Sequence, residues 1–226
     1  MTITVIIPTL NEAPTIAQTV RHTAGLGFDQ IVVVDGSSSD HTRTLAEALG
    51  FARVLTSKPG RARQLNTGAQ TCRSDVLLFL HADTRLPDTA KQNIESALAD
   101  PALVGGRFDV RFDSPSAWAP VISAFMNLRS RLTRISTGDQ AIFVRREIFE
   151  RLGGFSDIPL MEDIEFSSRL KRMGPTAALH ETVTTSFRRW KQQGPLRTIL
   201  LMWLLRFLYW MGVSPQRLAH LYGTVR

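Results

Sequence analysis

The sequence predicts an α/β fold in which a mixed, mainly parallel central sheet is flanked by helices. Three observations predict it. Short β-branched runs alternate with longer stretches of helical spacing. The runs are apolar throughout, as strands covered on both faces must be. The first two are stopped by Pro8 and by Asp35-Gly36, residues that end strands. A chain of 226 residues suits one domain with a small appendage, and 43% apolar with 21% charged residues excludes a disordered, collagen-like or coiled-coil chain.

Residues 2–7 (TITVII) form the first expected strand, and residues 14–25 follow as a helix with Ile16 and Val20 on one face. Residues 31–34 (IVVV) give a second strand and residues 40–49 a second helix. A third strand at 51–55, a helix at 61–71, a fourth strand at 75–80 (DVLLFL) and a helix at 87–98 complete the alternating half. The second half is mixed. Residues 104–112 alternate, with Phe108, Val110 and Phe112 on one side, before a helix at 117–132 and a short strand at 141–144. Residues 159–173 have helical periodicity through Ile164, Phe166 and Leu170, and 182–186 read as extended. With no linker or repeat in this half, residues 1–190 are expected to form one continuous domain and 191–226 an apolar, basic helical extension.

The net charge of +7 is unevenly distributed: residues 182–226 carry seven Lys or Arg and no acidic residue. The body is therefore neutral, which argues against a nucleic-acid partner and for a phosphate group or an anionic membrane surface at the tail. Cys72 is the single cysteine and forms no internal disulfide, and the start of the chain lacks a leader pattern. A cytoplasmic location is expected, with peripheral contact to the inner membrane face as an extension of it. Residues 198–211 (TILLMWLLRFLYWM) are apolar except for Thr198 and Arg206. As a helix they reach about 21 Å, short of the roughly 30 Å needed to span a bilayer. Packing within the molecule or in a homodimer is the first expectation for this stretch, and membrane-surface contact the second.

Ligands of open α/β sheets sit beyond the carboxyl ends of parallel strands. There the chain carries Pro8-Thr9-Leu10-Asn11-Glu12, then Asp35-Gly36-Ser37-Ser38-Ser39-Asp40, then His81-Ala82-Asp83. Parallel strands would bring Glu12, Asp35 and Asp83 to one rim, where carboxylates can hold a divalent cation suited to diphosphate chemistry. Each alone also reads as a helix cap or an Asx turn, Asp40 most of all. A phosphate loop with a following Lys-Ser/Thr, a GxGxxG turn and a GxSxG elbow are all absent, which disfavours P-loop, dinucleotide and serine-hydrolase chemistry.

In order along the chain, these segments resemble family 2 glycosyltransferases of the GT-A fold. Residues 5–12 (VIIPTLNE) resemble the family's opening strand and loop, and residues 32–40 (VVVDGSSSD) its nucleotide-contacting segment. Leu80-His81-Ala82-Asp83 stands where the family has its metal-binding DxD, Gly138-Asp139-Gln140 where an acceptor-side loop is expected, and Met161-Glu162-Asp163 resembles the motif that supplies the base. The resemblance implies an inverting transfer of a sugar from a nucleotide diphosphate sugar to a small-molecule or lipid-linked acceptor, assisted by Mn²⁺ or Mg²⁺. It assigns the base to Asp163 with Glu162 beside it, the metal to Asp83, and donor or acceptor contacts to Pro8, Asn11, Glu12, Asp35, Ser37 and Asp139. Residues 80–84 (LHADT), 138–141 (GDQA), 161–163 (MED) and 188–190 (RRW) are also similar to a short bacterial subgroup associated with radical-SAM and arsenosugar biosynthesis genes.

His81 departs from the family, which has an Asp there. It is expected to contact ribose or phosphate, or to pack at the strand end, and His180 is a second histidine considered for the metal shell. Arg61 and Arg63 in GRARQLN, and Arg188, Arg189 and Trp190, are candidates for the phosphates; a solvated helix face and, for Trp190, core packing are the structural alternatives. Glu162 and Asp163 can equally be favourable charges in a helix's first turn. The competing functions are a nucleotidyltransferase, and a degenerate GT-A binding or membrane-associated module without turnover.

Overall fold

The structure is a computed structural model that describes residues 1–223; residues 224–226, the end of the expected extension, lie outside the described residues. Strands β1 (Ile3–Thr9), β2 (Gln30–Asp35), β3 (Arg53–Thr56), β4 (Val76–Phe79), β5 (Thr84–Arg85), β6 (Gly105–Phe112), β7 (Phe143–Arg145) and β8 (Thr176–Thr185) form one sheet in the order β3-β2-β1-β4-β7-β6-β8-β5. Strands β1 to β4 pair in parallel, β7 lies antiparallel between β4 and β6, β8 is parallel to β6, and β5 closes the edge antiparallel to β8. The sheet is thus mixed and mainly parallel, as expected.

Ten helices surround it among the described residues: α1 (Ala13–Gly25), α2 (Thr42–Ala48), α3 (Arg61–Gln70), α4 (Ala90–Leu98), α5 (Trp118–Thr133), α6 (Arg146–Arg151), α7 (Glu162–Met173), α8 (Arg188–Gln193), α9 (Pro195–Trp210) and α10 (Pro215–Gly223). Strand alternation divides the core between two faces. Ile3, Val5 and Ile7 pack with Ile16 and Val20 of α1 and Ile94 of α4, while Ile6, Val32 and Val34 pack with Leu65 of α3 and Phe166 of α7. Both faces are covered, which is why these strands read as unbroken apolar runs.

Three boundaries differ from expectation for identifiable reasons. Strand β1 continues through Pro8 to Thr9 because its pairing with β4 ends at Ile6↔Phe79, whereas its pairing with β2 runs on to Thr9↔Asp35. Beyond Ile6 the β4 side is an edge, where proline's missing N–H costs no ladder bond. Helix α7 starts at Glu162 rather than 159 because Met161 has φ 70°, a left-handed conformation that a right-handed helix does not include. Strand β8 begins at Thr176, six residues before the expected extended segment, because 176–178 pair with β6 ahead of an irregularity at Arg107/Asp109. Helices α6 and α8 and strand β5 are further additions.

The shared direction of β1, β2, β4, β6 and β8 sends the residues after each of them to one edge of the sheet. Strand β7 runs the opposite way, so the segment before it, a single 3-10 turn at Gly138–Gln140, reaches the same edge.

Candidate active site

At that edge the loops after β1 and β2 are tied together. Asp35 is 2% exposed and accepts hydrogen bonds from the Ser38 backbone N–H (2.9 Å) and the Ser38 hydroxyl. Asn11, at φ 55°, donates its backbone N–H to Ser38 Oγ (2.9 Å) and accepts from the Ser39 N–H (2.9 Å). Asp40 accepts from the N–H groups of Ala13 (3.2 Å) and Thr42 (3.0 Å), the second being the Asx turn rather than a helix cap, since His41 is the N-cap of α2. Beneath them the buried Gln64 of α3 donates to the carbonyls of Thr9 (2.7 Å) and Val34 (2.9 Å), clamping the ends of β1 and β2. The hydroxyl of Ser37 is directed to the Ser57 carbonyl (3.1 Å).

Glu12 accepts from Arg188 at 3.1 Å, which joins the first loop to the segment after β8. Asp83 lies in the turn before β5, and Thr84 holds that turn to β8 through Thr185 (2.9 Å). Among the described residues the Asp83 carboxylate accepts one long hydrogen bond, from Thr84 at 3.5 Å. Among the described residues no three His, Cys, Asp or Glu side chains are gathered to enclose a cation. One unencumbered carboxylate nevertheless suits an ion whose remaining ligands are substrate phosphates and water. His81 instead faces Asp139, with Nδ1 3.1 Å from Oδ1, and a Cβ on Gly138 would collide with its Nε2. Partial burial raises the Asp139 pKa, but the His81 hydrogen bond and charge, with Arg61 and Arg189, outweigh it and pull the carboxyl down to about 2.

Glu162 and Asp163 open α7 from the strained turn at Met161, and they diverge. Asp163 accepts from the Gly138 N–H (2.8 Å) and the Ile164 N–H (2.7 Å), so it is turned toward the Gly138 loop. Glu162, with its side chain 5% exposed, lies 3.3 Å from Arg61 Nη1. Burial pushes the Glu162 carboxyl up against the pull of Arg61, and the neighbouring Asp163 charge adds to the rise. Arg61, His81, Gly138, Glu162 and Asp163 line one small cavity.

The sequence model of glycosyl transferase family 2 matches residues 4–153. The chain belongs to this family. It is similar to the probable glycosyltransferase YdaM of Bacillus subtilis, with 26% identity over 84% of this chain and 53% of that protein, so it spans about half the relative's length. The fold is that of S. aureus TarS 1-349 solved with UDP-GlcNAc (TM-score 0.67, 16% identity, 82% of this chain and 58% of that one). It is also that of the mannosyltransferase PcManGT from Pyrobaculum calidifontis, solved with GDP-Man and Mn²⁺ (TM-score 0.64, 25% identity, 80% of this chain and 56% of that one).

Not every expected residue of this family 2 chain faces the cavity. Arg63 directs its Nε to Asp157 (2.8 and 2.9 Å) on an exposed surface. Trp190 packs on Phe112 and Phe187, the packing alternative, and His180 is paired with Arg131 (3.1 Å). Arg189 lies over the Tyr222 ring. Conversely, the family 2 site gains two arginines that the sequence did not single out as ligands, Arg129 of α5 and Arg206 of α9. Both come within electrostatic reach of Asp163 and Asp139. The one available signal was Arg206 as a charge inside an apolar helix.

Proposed function

We propose that this chain is an inverting glycosyltransferase that moves a sugar from a nucleotide diphosphate sugar to an acceptor hydroxyl. The observation that carries this reading is the shared sheet edge: the Asp35 loop and Asp83 follow the parallel strands β2 and β4 to the edge that the Gly138 turn, held by Asp163, also reaches. The Asp35 carboxylate with Ser37, and the loop of Pro8, Asn11 and Glu12, receive the nucleoside, and Arg61 and Arg188 take the phosphates. A divalent ion, Mn²⁺ or Mg²⁺, held by Asp83 and donor phosphate oxygens would neutralise charge on the leaving diphosphate. Asp163 takes the proton of the acceptor hydroxyl as its oxygen bonds to the anomeric carbon. The bond from that carbon to the phosphate oxygen breaks, its electron pair leaves with the nucleoside diphosphate, and the configuration inverts. Glu162 positions Arg61, and the His81 contact holds Asp139 beside the acceptor.

The subgroup associated with radical-SAM and arsenosugar genes is the finer reading, supported by its four motifs at residues 80–84, 138–141, 161–163 and 188–190. Residues 1–190 are assigned to the transferase and 191–226 to the extension. No described helix is long and apolar enough to cross a membrane. Exposed Leu200, Trp203, Phe207 and Trp210 on α9, exposed Phe125, Leu128 and Leu132 on α5, and a tail without acidic residues support contact with an anionic bilayer surface.

Calorimetric titration with UDP-, GDP- and dTDP-sugars, with and without Mn²⁺ or Mg²⁺, tests the transferase reading. One donor should bind in a metal-dependent manner, Asp83→Asn should abolish that binding, and Asp163→Asn should retain it while losing transfer. Donor affinity lost only in Asp163→Asn would reverse the two roles, and no binding by any donor would favour the non-catalytic module.

A further inference from the structure

Arg129 is a half-buried side chain whose bonding is incomplete. Its Nη1 donates to the Ile135 carbonyl at 3.3 Å, but Nε and Nη2 are buried and meet no partner among the described residues. Those two nitrogens share one edge of the guanidinium. Their N–H groups form the fork that meets two oxygens of a carboxylate or phosphate, and leaving such donors buried and unmet is unfavourable. Arg206 of α9 lies within electrostatic reach of Arg129 and makes no hydrogen bond or ion pair among the described residues.

The carboxylates within electrostatic reach are occupied elsewhere: Asp163 by the N–H groups of Gly138 and Ile164, Asp139 by His81. Arg107, within electrostatic reach of Arg129, binds Asp109 through Nη1, and its buried Nη2 meets no partner among the described residues. Like charges brought together without a bonded counterion repel. Burial and the neighbouring Arg206 accordingly pull the Arg129 guanidinium down to about 10. An oxyanion placed between the two arginines would complete the Arg129 fork and relieve the repulsion.

We propose that Arg129 and Arg206 receive an anionic group of the acceptor, a carboxylate or a phosphate, and so present the acceptor hydroxyl to Asp163. The inference rests on the transferase reading and adds to it the class of acceptor. Position selects the acceptor over the donor: Arg129 is bonded to the Ile135 carbonyl, three residues before the Gly138 N–H that Asp163 holds, and Arg206 is within electrostatic reach of the same Asp163, whereas the donor loops follow β1, β2 and β4.

The test uses the full chain with its donor side filled by UDP, or by GDP where UDP does not bind, plus Mn²⁺. Inorganic phosphate and acetate are then titrated by calorimetry. One of the two should bind without displacing the nucleotide, and the preferred anion identifies the acceptor group. Arg206→Gln and Arg129→Lys should each weaken that binding by about tenfold, because lysine keeps the charge but not the fork. Arg206→Gln carries the test alone if Arg129→Lys does not fold. Anion binding that displaces the nucleotide, is unchanged in the variants or is absent while nucleotide binds would overturn this inference and leave the transferase reading intact. Failure of every nucleoside diphosphate and sugar donor to bind would remove that reading, and this one with it.

Discussion

Asp139, in the turn that Asp163 holds through the Gly138 N–H, and Glu162, the residue before Asp163, respond to pH with opposite signs. The Asp139 carboxyl drops from an ordinary 3.8 to about 2 in the folded chain, so the unfolded chain binds its proton more tightly. Its contribution to stability is present above pH 3.8 and is lost as pH falls toward 2. Urea titrations across that range should show the Asp139→Asn variant losing less stability on acidification than the parent; equal slopes would remove the His81–Asp139 pair as their source. Glu162 holds its proton more tightly when folded than its ordinary value of 4.5. It therefore opposes stability as pH rises through its folded pKa, and Arg61 limits that loss.

At the scale of elements, α3 joins the alternating half of the sheet to the site. Gln64 spans from the helix to the last carbonyls of β1 and β2, and a Cβ on Gly36 would lie 3.0 Å from its amide, so the turn after β2 closes directly on it. Replacing it by leucine removes a buried donor from both carbonyls, that of Thr9 keeping only the Gly36 N–H at 2.8 Å among the described residues. Gln64→Leu should cost about 2–4 kcal/mol in urea unfolding and weaken nucleotide binding with it, since both loops hang from those strand ends. Nucleotide affinity unaffected at reduced stability would separate the clamp from the loops. Asn66, one helical turn away from Arg63, donates to the Phe155 carbonyl (2.8 Å) and accepts from the Phe155 N–H (2.9 Å), so the same helix also anchors the chain leading to α7. The polar detail of GRARQLN visible in the sequence is spent largely on this positioning.

Across the whole molecule, α9 and α10 are part of the frame of the site. Leu205 and Leu218 pack on Met161, the left-handed residue from which Glu162 and Asp163 start. The opposite side of α9 is open, with Trp203 69% and Trp210 79% exposed. Trp203→Ser with Trp210→Ser should reduce cosedimentation with anionic vesicles by about tenfold or more and leave thermal unfolding unchanged, since these rings lie outside the core. Retained vesicle binding would move the surface elsewhere, and loss of a concentration-dependent dimer in the same variant would assign the face to a second copy.

The sequence by itself determined the strands and helices of the alternating half, because runs buried on both faces must be continuously apolar and the chain must turn at Asp35-Gly36. It also determined which acidic residues follow those strands, and hence that Glu12, Asp35 and Asp83 reach one edge once the strands are parallel. Tertiary structure decided what those residues face. Local spacing cannot show that Pro8 lies where β4 has ended, that Arg63 turns to Asp157, or that Trp190 packs on Phe187. Nor can it bring Arg129 beside Arg206, 77 residues later, since their meeting depends on how α5 and α9 dock. Hydrophobic periodicity records which side of an element is buried; the partner across the contact is set by packing between segments that share no local signal.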